Sequence, residues 1–202
     1  MRNDLSAIDW QKASDGLLPA IVQDAKTGQV LMLGYMNEKA LKVSMQTGYV
    51  TFFSRSKQRL WMKGESSKNT LKVVSIAADC DVDALLIRAI PSGPTCHTGA
   101  FSCFTAEELP LETLGLLIRT IQDRSTGDSA ESYTNKLLEG GIDAYGAKVL
   151  EEAEELVRAA KREGRQRTVE EATDLLYHLL VLLRGQGIEI ADIAEELKRR
   201  RQ

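Results

Sequence analysis

All three cysteines of this chain lie in one short window, with aspartates and a histidine between them. The window contains the segments Asp79-Cys80-Asp81-Val82-Asp83, Gly93-Pro94-Thr95-Cys96-His97 and Ser102-Cys103-Phe104. Thiolates are preferred zinc ligands, and three sulfur ligands leave the fourth corner of a zinc tetrahedron for water. The spacing therefore predicts a zinc site of the catalytic kind, and with it a hydrolase.

Two other interpretations of the cysteines stay open at this point. Free cysteines can be buried as small hydrophobic side chains. Alternatively, Cys80, Cys96 and Cys103 could form a closed structural zinc site with His97 as the fourth ligand. Both alternatives leave the neighbouring aspartates without a role.

The aspartates favour a functional site. On an extended strand, Asp79, Asp81 and Asp83 would share one face, because successive side chains alternate between the two faces. Three like charges on one face repel each other unless a cation lies among them. Carboxylate oxygens suit Mg²⁺, so we expect a magnesium ion beside the zinc site.

A second acidic group is predicted in the C-terminal half. Residues 169–183 form a helix that is apolar almost all round and should be largely buried, yet Glu171, Asp174 and His178 share one strip of it. On the preceding helix, Glu151, Glu152 and Glu155 flank an apolar stripe. That stripe consists of Val149, Leu150, Ala153, Leu156, Val157 and Ala160.

Acids on a buried helix must be paired, protonated or bound to a cation. If the two strips face each other, the carboxylates converge, and Mg²⁺ would allow them to coexist and would suit phosphate chemistry. Lys136 and Lys148 could then hold the remaining phosphate charge. The alternative is an ion-pair network with Arg158, Lys161 or Arg184.

The elements that must position these residues change character along the chain. Apolar runs rich in β-branched and aromatic residues predict five strands before residue 106: Leu17–Ala25, Val30–Met36, Tyr49–Ser54, Leu71–Ala78 and Ala84–Ile90. Residues 26–29 predict a hairpin turn, and one helix should begin after Asn37 and end at Gly48. After Pro110 the pattern is helical, with breaks at Gly127, Gly140-Gly141, Gly164 and Gly185–Gly187.

The balance of basic and acidic residues changes at the same place as the hydrophobic pattern. Residues 1–106 carry 12 Lys and Arg against 9 Asp and Glu, whereas residues 107–202 carry 14 against 20. We therefore predict two domains: residues 1–106 form a mostly-β (α+β) domain that binds zinc, and residues 107–202 form an all-α helical bundle.

The composition also bears on partners and location. The net charge of −3 argues against general nucleic-acid binding. No segment is long and apolar enough to cross a membrane, and no secretory signal is evident. An odd number of cysteines indicates a reducing cytoplasm.

Several segments closely resemble a known family. Leu33–Asn37, Phe53–Ser56, Leu60–Glu65, Asp79–Asp83 and Gly93–Cys103 are similar to phosphoribosyl-AMP cyclohydrolase of histidine biosynthesis. Ser132–Leu137, Lys148–Glu155 and Glu171–His178 resemble phosphoribosyl-ATP pyrophosphohydrolase, a relative of the all-α nucleotide pyrophosphatases. Together the segments follow the order of the fused bifunctional enzyme over nearly the whole chain.

The resemblance implies two consecutive hydrolyses. The helical domain would convert phosphoribosyl-ATP to phosphoribosyl-AMP and pyrophosphate with Mg²⁺, held by Glu151 or Glu152, Glu155, Glu171 and Asp174. The first domain would open the adenine ring of phosphoribosyl-AMP between N1 and C6 with a zinc-activated water. The family pattern places zinc on Cys80, Cys96 and Cys103, drawn from two subunits of a homodimer, and Mg²⁺ on Asp79, Asp81 and Asp83.

Other residues are assigned by their chemistry. His97 is our candidate general acid/base, since ring opening requires proton transfer and the residue follows a predicted zinc ligand. Arg55, Arg59 and Lys63 would bind the phosphates of the substrate, although a solvated strand edge also explains them. Lys68 stands where the cyclohydrolase pattern usually has glycine, which puts the local turn in question.

Two other functional classes compete with this interpretation. One is a house-cleaning nucleotide pyrophosphatase with a zinc-stabilised accessory domain, which would hydrolyse ordinary nucleoside triphosphates. The other is a non-enzymatic module with a structural zinc site and a helical bundle for assembly, whose zinc would have four protein ligands.

Overall fold

A computed structural model of the chain describes residues 5–104, 109–126 and 132–201. It forms two compact units, Met1–Gly115 and Leu116–Gln202, which divide within one helix. The predicted boundary between residues 106 and 107 falls outside the described residues and stays a prediction. The first unit is rich in strands and the second is helical, which confirms the predicted two-part layout.

The first unit contains a four-stranded sheet and a separate hairpin. A short 3-10 helix, Leu5–Ala7, is followed by β1 (Leu18–Asp24), β2 (Val30–Met36), α1 (Glu38–Thr47), β3 (Thr51–Ser54), β4 (Arg59–Met62), β5 (Leu71–Ala78) and β6 (Leu85–Pro91). The sheet order is β2-β1-β6-β5, and β3 pairs with β4. Strands β1 and β6 are parallel, whereas the other neighbours are antiparallel.

Local sequence signals explain several of these boundaries. The side-chain oxygen of Asn37 accepts a hydrogen bond from the Ala40 backbone N–H at 2.8 Å, which caps α1. Gly48 ends that helix with a φ of 75°, a conformation that glycine adopts without strain. Both ends of α1 are confirmed, as is the turn that joins the antiparallel strands β1 and β2.

The core of the first unit lies on one face of the sheet. Alternate residues of β1, Leu18, Ala20 and Val22, are buried, as the period of a strand requires. Phe52 of β3 packs so closely on Gly34 of β2 that a Cβ there would collide with the phenyl ring. The small hairpin is thereby held against the sheet, and it carries part of the candidate site.

The second unit is built from helices. These are α2 (Pro110–Thr126), α3 (Tyr133–Glu139), α4 (Gly141–Arg162), α5 (Arg165–Gly185) and α6 (Ile190–Arg200). Three of the four predicted breaks separate the described helices as expected, and the fourth, Gly127, lies outside the described residues. Ile121, Leu137, Tyr145, Leu180 and Val181 form the core. None of the described helices is long and apolar enough to span a membrane.

The apolar stripe predicted on α4 is not the face of this helix that packs within the unit. The buried residues of α4 are Tyr145, Glu152 and Ala159, whereas Leu150 is 70% exposed and Val157 is 52% exposed. Helix α5 is buried only in part. Leu180 and Val181 are enclosed, and Leu179 is 40% exposed. The inward face of α4 therefore carries an acid, and among the described residues Leu150, Val157 and Ala160 of the apolar stripe are exposed.

Candidate metal and substrate sites

A cleft of about 430 Å³ in the first unit is lined by two of the three predicted zinc ligands and by one of the three predicted phosphate-binding residues. Its walls come from the end of β4, the turn that follows, and the loop after β6. The lining includes Trp61, Lys63, Glu65, Cys96, His97 and Cys103. Backbone hydrogen bonds hold the loop in place, among them one from the Cys103 N–H to the Leu31 carbonyl at 2.8 Å. The cleft is large enough for part of a nucleotide.

Two of the three cysteines meet in this cleft. The thiols of Cys96 and Cys103 lie close enough to interact, and the Thr98 hydroxyl donates to the Cys96 sulfur at 3.1 Å. That hydrogen bond lowers the pKa of Cys96, which favours the thiolate that a metal requires. All three cysteines are free. Within the described part of one chain, however, Cys80 does not join the other two in a group whose ligand atoms lie within 4.8 Å of one another.

His97 lies beside the thiol pair, but among the described residues it does not form a group with Cys96 and Cys103 whose ligand atoms all lie within 4.8 Å of one another. Its side chain is exposed, and Nδ1 is 3.8 Å from the Cys96 sulfur. The imidazole also lines the cleft, so it can reach a bound substrate. This position is compatible with proton transfer and leaves the assignment as acid/base a prediction.

The extended conformation considered for the three aspartates is not observed, and residues 79–83 lie between two of the predicted strands. Strand β5 ends at Ala78, and residues 79–84 form the turn that leads to β6. Asp79 shapes this turn, because its side chain accepts hydrogen bonds from the backbone N–H groups of Asp83 and Ala84 at 3.0 and 3.1 Å. Val82 adopts a φ of 59°, which is rare for a β-branched residue.

The three aspartates nevertheless converge, for a different reason than strand alternation. Asp79, Asp81 and Asp83 each offer a carboxylate oxygen, and these oxygens lie within 4.8 Å of one another. Lys12, which sequence reasoning missed, donates to the Asp81 carboxylate at 2.7 Å and to its carbonyl at 2.8 Å, and it lies 3.0 Å from the Asp83 carboxylate. The hydrogen bond with Asp81 is the main reason that the pKa of Lys12 is raised.

The three predicted phosphate-binding residues have different surroundings. Lys63 is 9% exposed and lines the cleft. Arg59 forms a two-pronged ion pair with Glu65, at 2.5 and 3.2 Å, and this pair lowers the pKa of Glu65. The guanidinium of Arg55 lies 4.0 Å from the centre of the Tyr35 ring, a cation–π contact. Of the three, only Lys63 lines the described cleft.

Lys68 adopts a backbone conformation that glycine would favour, in the turn that its presence put in question. Its φ is 66°, in the left-handed region, and its N–H donates to the Gly64 carbonyl at 2.9 Å. The turn therefore keeps its shape with a residue that is less suited to it.

The second unit brings three glutamates together. Carboxylate oxygens of Glu152, Glu155 and Glu171 lie within 4.8 Å of one another. Glu171 is 1% exposed and Glu152 is 7% exposed, so the group is largely removed from water. Burial raises the pKa of Glu171, since an ionised carboxylate loses hydration there.

Basic side chains surround these glutamates. Arg158 donates to Glu155 at 2.8 Å and lowers its pKa, and Arg167 contacts Glu171 as an ion pair without hydrogen-bond geometry. Lys148 lies 2.8 Å from Glu151 and 3.3 Å from Glu152. The Glu151 contact is the main reason that the pKa of Lys148 is raised to about 12.

The remaining predicted ligands lie outside this convergent group. Glu151 and Asp174 are exposed, and the described structure does not place them among the three. Lys136 is exposed on α3. Of the bases in the alternative network, Arg158 does pair with a glutamate of the group, whereas Arg184 lies 3.5 Å from Glu189. Arg167 was not predicted, although its position four residues before Glu171 is a usual helical spacing for an ion pair.

Two family models match this chain, one in each unit. Residues 32–105 match the family described as phosphoribosyl-AMP cyclohydrolase. Residues 114–201 match the family described as phosphoribosyl-ATP pyrophosphohydrolase. The matches contain the thiol cleft and the aspartate turn in the first case, and the three convergent glutamates in the second.

Relatives with both parts match almost the full chain. The histidine biosynthesis bifunctional protein HisIE of Xanthomonas axonopodis pv. citri is 52% identical over 198 residues, 98% of this chain and 95% of the relative. The protein of the same name from Escherichia coli K12 is 50% identical over 195 residues, 96% of each chain. The chain therefore belongs to the family of bifunctional histidine-biosynthesis hydrolases that join a phosphoribosyl-AMP cyclohydrolase domain to a phosphoribosyl-ATP pyrophosphohydrolase domain.

Proposed function

We propose that the two hydrolyses of this family use separate metal sites, zinc on the cysteines of the first unit and Mg²⁺ on the acids of the second. The observation that carries this proposal is the difference in donor atoms between the thiol cleft of the first unit and the glutamate group of the second. The first unit has two interacting thiols at a cleft, and the second has three converging, largely buried carboxylates. Thiolates suit zinc and carboxylates suit Mg²⁺.

In the helical unit, Glu152, Glu155 and Glu171 would hold Mg²⁺, with Glu151 and Asp174 as further ligands near the surface. The donor set fits the ion, because buried carboxylates repel one another without a cation. The bound ion would neutralise phosphate oxygens and orient a water for attack on phosphorus. Lys148 and the exposed Lys136 would contact the phosphates of phosphoribosyl-ATP, whose hydrolysis gives phosphoribosyl-AMP and pyrophosphate.

In the first unit, Cys96 and Cys103 would hold zinc together with Cys80 from a second copy of the chain. This arrangement is supported by the position of Cys80, which lies apart from the other two thiols in one chain. Bound zinc would supply an activated water for C6 of the adenine ring. His97, at the same cleft, would transfer the proton that N1 gains as the N1–C6 bond breaks.

The same unit would bind the substrate through its charged residues. Lys63 lines the cleft and would contact a phosphate, and Arg55 and Arg59 would provide further positive charge at its approach. Asp79, Asp81 and Asp83 would hold Mg²⁺ on the adjacent turn. Glu65 keeps Arg59 in a fixed orientation.

A homodimer is part of this proposal. Besides the zinc ligands, the exposed Leu150 and Val157 support it, since they are seven residues apart on one face of α4. A second copy of the same helix would cover them. We further propose a cytoplasmic enzyme that does not bind nucleic acid, consistent with its acidic balance and its free cysteines.

Mass spectrometry of the products tests the proposal in one reaction. The purified protein is incubated with phosphoribosyl-ATP in the presence of Zn²⁺ and Mg²⁺. We expect pyrophosphate and a ring-opened product heavier by one water than phosphoribosyl-AMP. Omission of Mg²⁺ should stop pyrophosphate release, and removal of zinc should leave phosphoribosyl-AMP unopened. Unchanged substrate with both metals present would contradict the proposal, and hydrolysis of ordinary nucleoside triphosphates would favour a house-cleaning pyrophosphatase.

A further inference from the structure

His178 is a buried polar residue that the roles given above do not use. It lies on α5 and is 5% exposed. Its Nε2 atom is 3.7 Å from Oε1 of Glu152 on α4. Its Nδ1 atom is buried and has no hydrogen-bond partner among the described residues. A buried nitrogen without a partner costs free energy, so an apolar side chain would suit a purely structural position better.

Two aromatic rings fix the orientation of this imidazole. Tyr133 and Tyr177 both meet it edge-on, with ring centres 6.0 and 5.1 Å away and interplanar angles of 82° and 77°. Tyr177 is itself held by a 2.8 Å hydrogen bond between its hydroxyl and that of Thr134. The ring therefore cannot turn freely, and its Nε2 remains directed at Glu152.

Both basic neighbours of Glu152 contact the same oxygen of its carboxylate. His178 and Lys148 both approach Oε1, at 3.7 and 3.3 Å. Lys148 also binds Glu151 at 2.8 Å, and it belongs to the same helix as Glu152. His178 reaches across from the neighbouring helix, which also carries Glu171. With Oε1 held from that side, Oε2 is the oxygen available to an ion.

We propose that His178 is a positioning residue for the pyrophosphohydrolase reaction: its Nε2–H holds Oε1 of Glu152, so that Oε2 faces the ion shared with Glu155 and Glu171. The present distance of 3.7 Å is longer than a hydrogen bond. Such contacts often tighten when a site is loaded, and a small rotation of the carboxylate would be sufficient. This inference rests on the magnesium site proposed above.

Two amide substitutions separate the roles of the two ring nitrogens. In His178→Gln the amide nitrogen can reach the position of Nε2, whereas in His178→Asn it reaches only that of Nδ1. We expect the Gln variant to bind the ion within about threefold of the wild type. The Asn variant should bind it about tenfold more weakly, as is usual when a group that orients a metal ligand is lost.

The affinity is measured with Mn²⁺ in place of Mg²⁺, and the concentration of free Mn²⁺ is determined by electron paramagnetic resonance. The full-length protein carries Asp81→Asn to remove the aspartate site, and its thiols are first saturated with Zn²⁺. In the chain without that background change, the Mg²⁺ concentration for half-maximal pyrophosphate release should follow the same order. The unfolding temperature of each variant, measured by calorimetry, and its helix content, measured by circular dichroism, report whether the helical unit is folded.

Tyr177→Phe is the matched control. It removes the hydrogen bond to Thr134 but keeps the aromatic ring that packs edge-on against His178, so the contact with Glu152 and the Mn²⁺ affinity should not change. Equal binding by both amide variants and the wild type would overturn the inference. Equal losses in both amide variants and in Tyr177→Phe would also overturn it, because they indicate a packing role.

Glu152→Gln distinguishes this inference from the proposal on which it rests. If Glu152→Gln binds Mn²⁺ as tightly as the wild type, the proposed magnesium site is wrong and the inference fails with it. If Glu152→Gln loses the ion while His178→Asn retains it, the site stands and only the role of His178 is wrong.

Discussion

The two acidic groups of this chain neutralise their charge in different ways. Asp79, Asp81 and Asp83 lie on an exposed turn, where solvent and one lysine from a distant part of the chain, Lys12, balance them. Glu152, Glu155 and Glu171 lie on two packed helices, and burial raises the pKa of Glu171 despite the nearby Arg167. Two groups with the same number of carboxylates therefore differ in how much they depend on a metal ion, because the buried group is much less hydrated.

Replacement of Cys96 should have the largest effect, because it breaks the sulfur site. Cys96→Ala should abolish zinc binding and ring opening, since the thiolate is a direct ligand. Pyrophosphate release should continue at the wild-type rate, because the glutamate group is separate. Zinc content by atomic absorption and product analysis by mass spectrometry check this. Ring opening that persists without Cys96 would refute the zinc assignment.

Glu171→Gln tests whether the buried group depends on the ion. We expect pyrophosphate release to fall by about 10²-fold or more, with ring opening retained. The raised pKa means that folding disfavours the ionised form of Glu171, so at neutral pH the neutral amide should raise the unfolding temperature of the metal-free protein. With the aspartate site removed by Asp81→Asn in both proteins, added Mg²⁺ should stabilise the chain that has Glu171 and not the chain that carries Glu171→Gln, as measured by calorimetry.

Glu170→Gln is the control for that change. Glu170 is the exposed neighbour and pairs with Arg167 at 3.0 Å, outside the convergent group. Its replacement should leave both activities unchanged. If Glu171→Gln lowers the unfolding temperature and leaves pyrophosphate release intact, the group is an ion-pair network and not a metal site.

His97→Ala sharpens the distinction between binding a metal and using it. Zinc stoichiometry should be unchanged, while ring opening slows by about 10²-fold, the usual contribution of a general acid or base. The rate is measured by single-turnover ring opening of phosphoribosyl-AMP. Loss of zinc from this variant would recast His97 as a ligand of a closed site.

Lys12→Met tests the exposed group, where the lysine and an ion would compete for the same oxygens. We expect Mg²⁺ to bind the aspartate turn several-fold more tightly, since no ammonium has to be displaced. Isothermal titration in a Glu152→Gln background isolates this site. Lys42→Met is the control, because Lys42 pairs with Glu38 on α1 in a similarly exposed ion pair. An unchanged affinity would show that Lys12 does not occupy the position of the ion.

The smallest expected effect concerns the turn that contains Lys68, whose neighbours Ser67 and Asn69 line the cleft. Lys68→Gly should raise the free energy of unfolding by about 1 kcal/mol, because Lys68 occupies the left-handed region that glycine tolerates better. Chemical denaturation measures this. Ser67→Gly is the control and should not stabilise the protein, since Ser67 is not among the residues with positive φ. Equal effects of the two changes would show that no local strain is relieved.

The bounds of strands and helices were predicted correctly where they depend on neighbouring residues in the sequence. Strands β2 and β5 begin and end at the predicted residues, and Asn37 and Gly48 bound α1 as expected. Strand β4 was missed, because Arg59–Met62 is a short run without alternation. Strand alternation was the wrong reason to group the three aspartates, because a spacing of two residues does not distinguish a strand from a turn organised by Asp79.

The surroundings of the sites were the least predictable part. Lys12 lies 69 positions before Asp81, and no periodicity links the two residues. A helical wheel correctly grouped Glu152 and Glu155. It could not tell that their side of α4 faces inward while Leu150 and Val157 are exposed, because a wheel shows which residues share a face and not which face is buried.

The parallel pairing of β1 with β6 has a consequence for the order of folding. Ala20 pairs with Leu85, and 60 residues separate the end of β1 from the start of β6. Helices α4 and α5, by contrast, are joined through Glu163 and Gly164. Closing a long loop costs chain entropy before any contact repays it, so contacts distant in sequence form slowly. During synthesis, β1 can pair early with β2, but its pairing with β6 becomes possible only after the intervening residues have been made, whereas helices α4 and α5 need no such long connection.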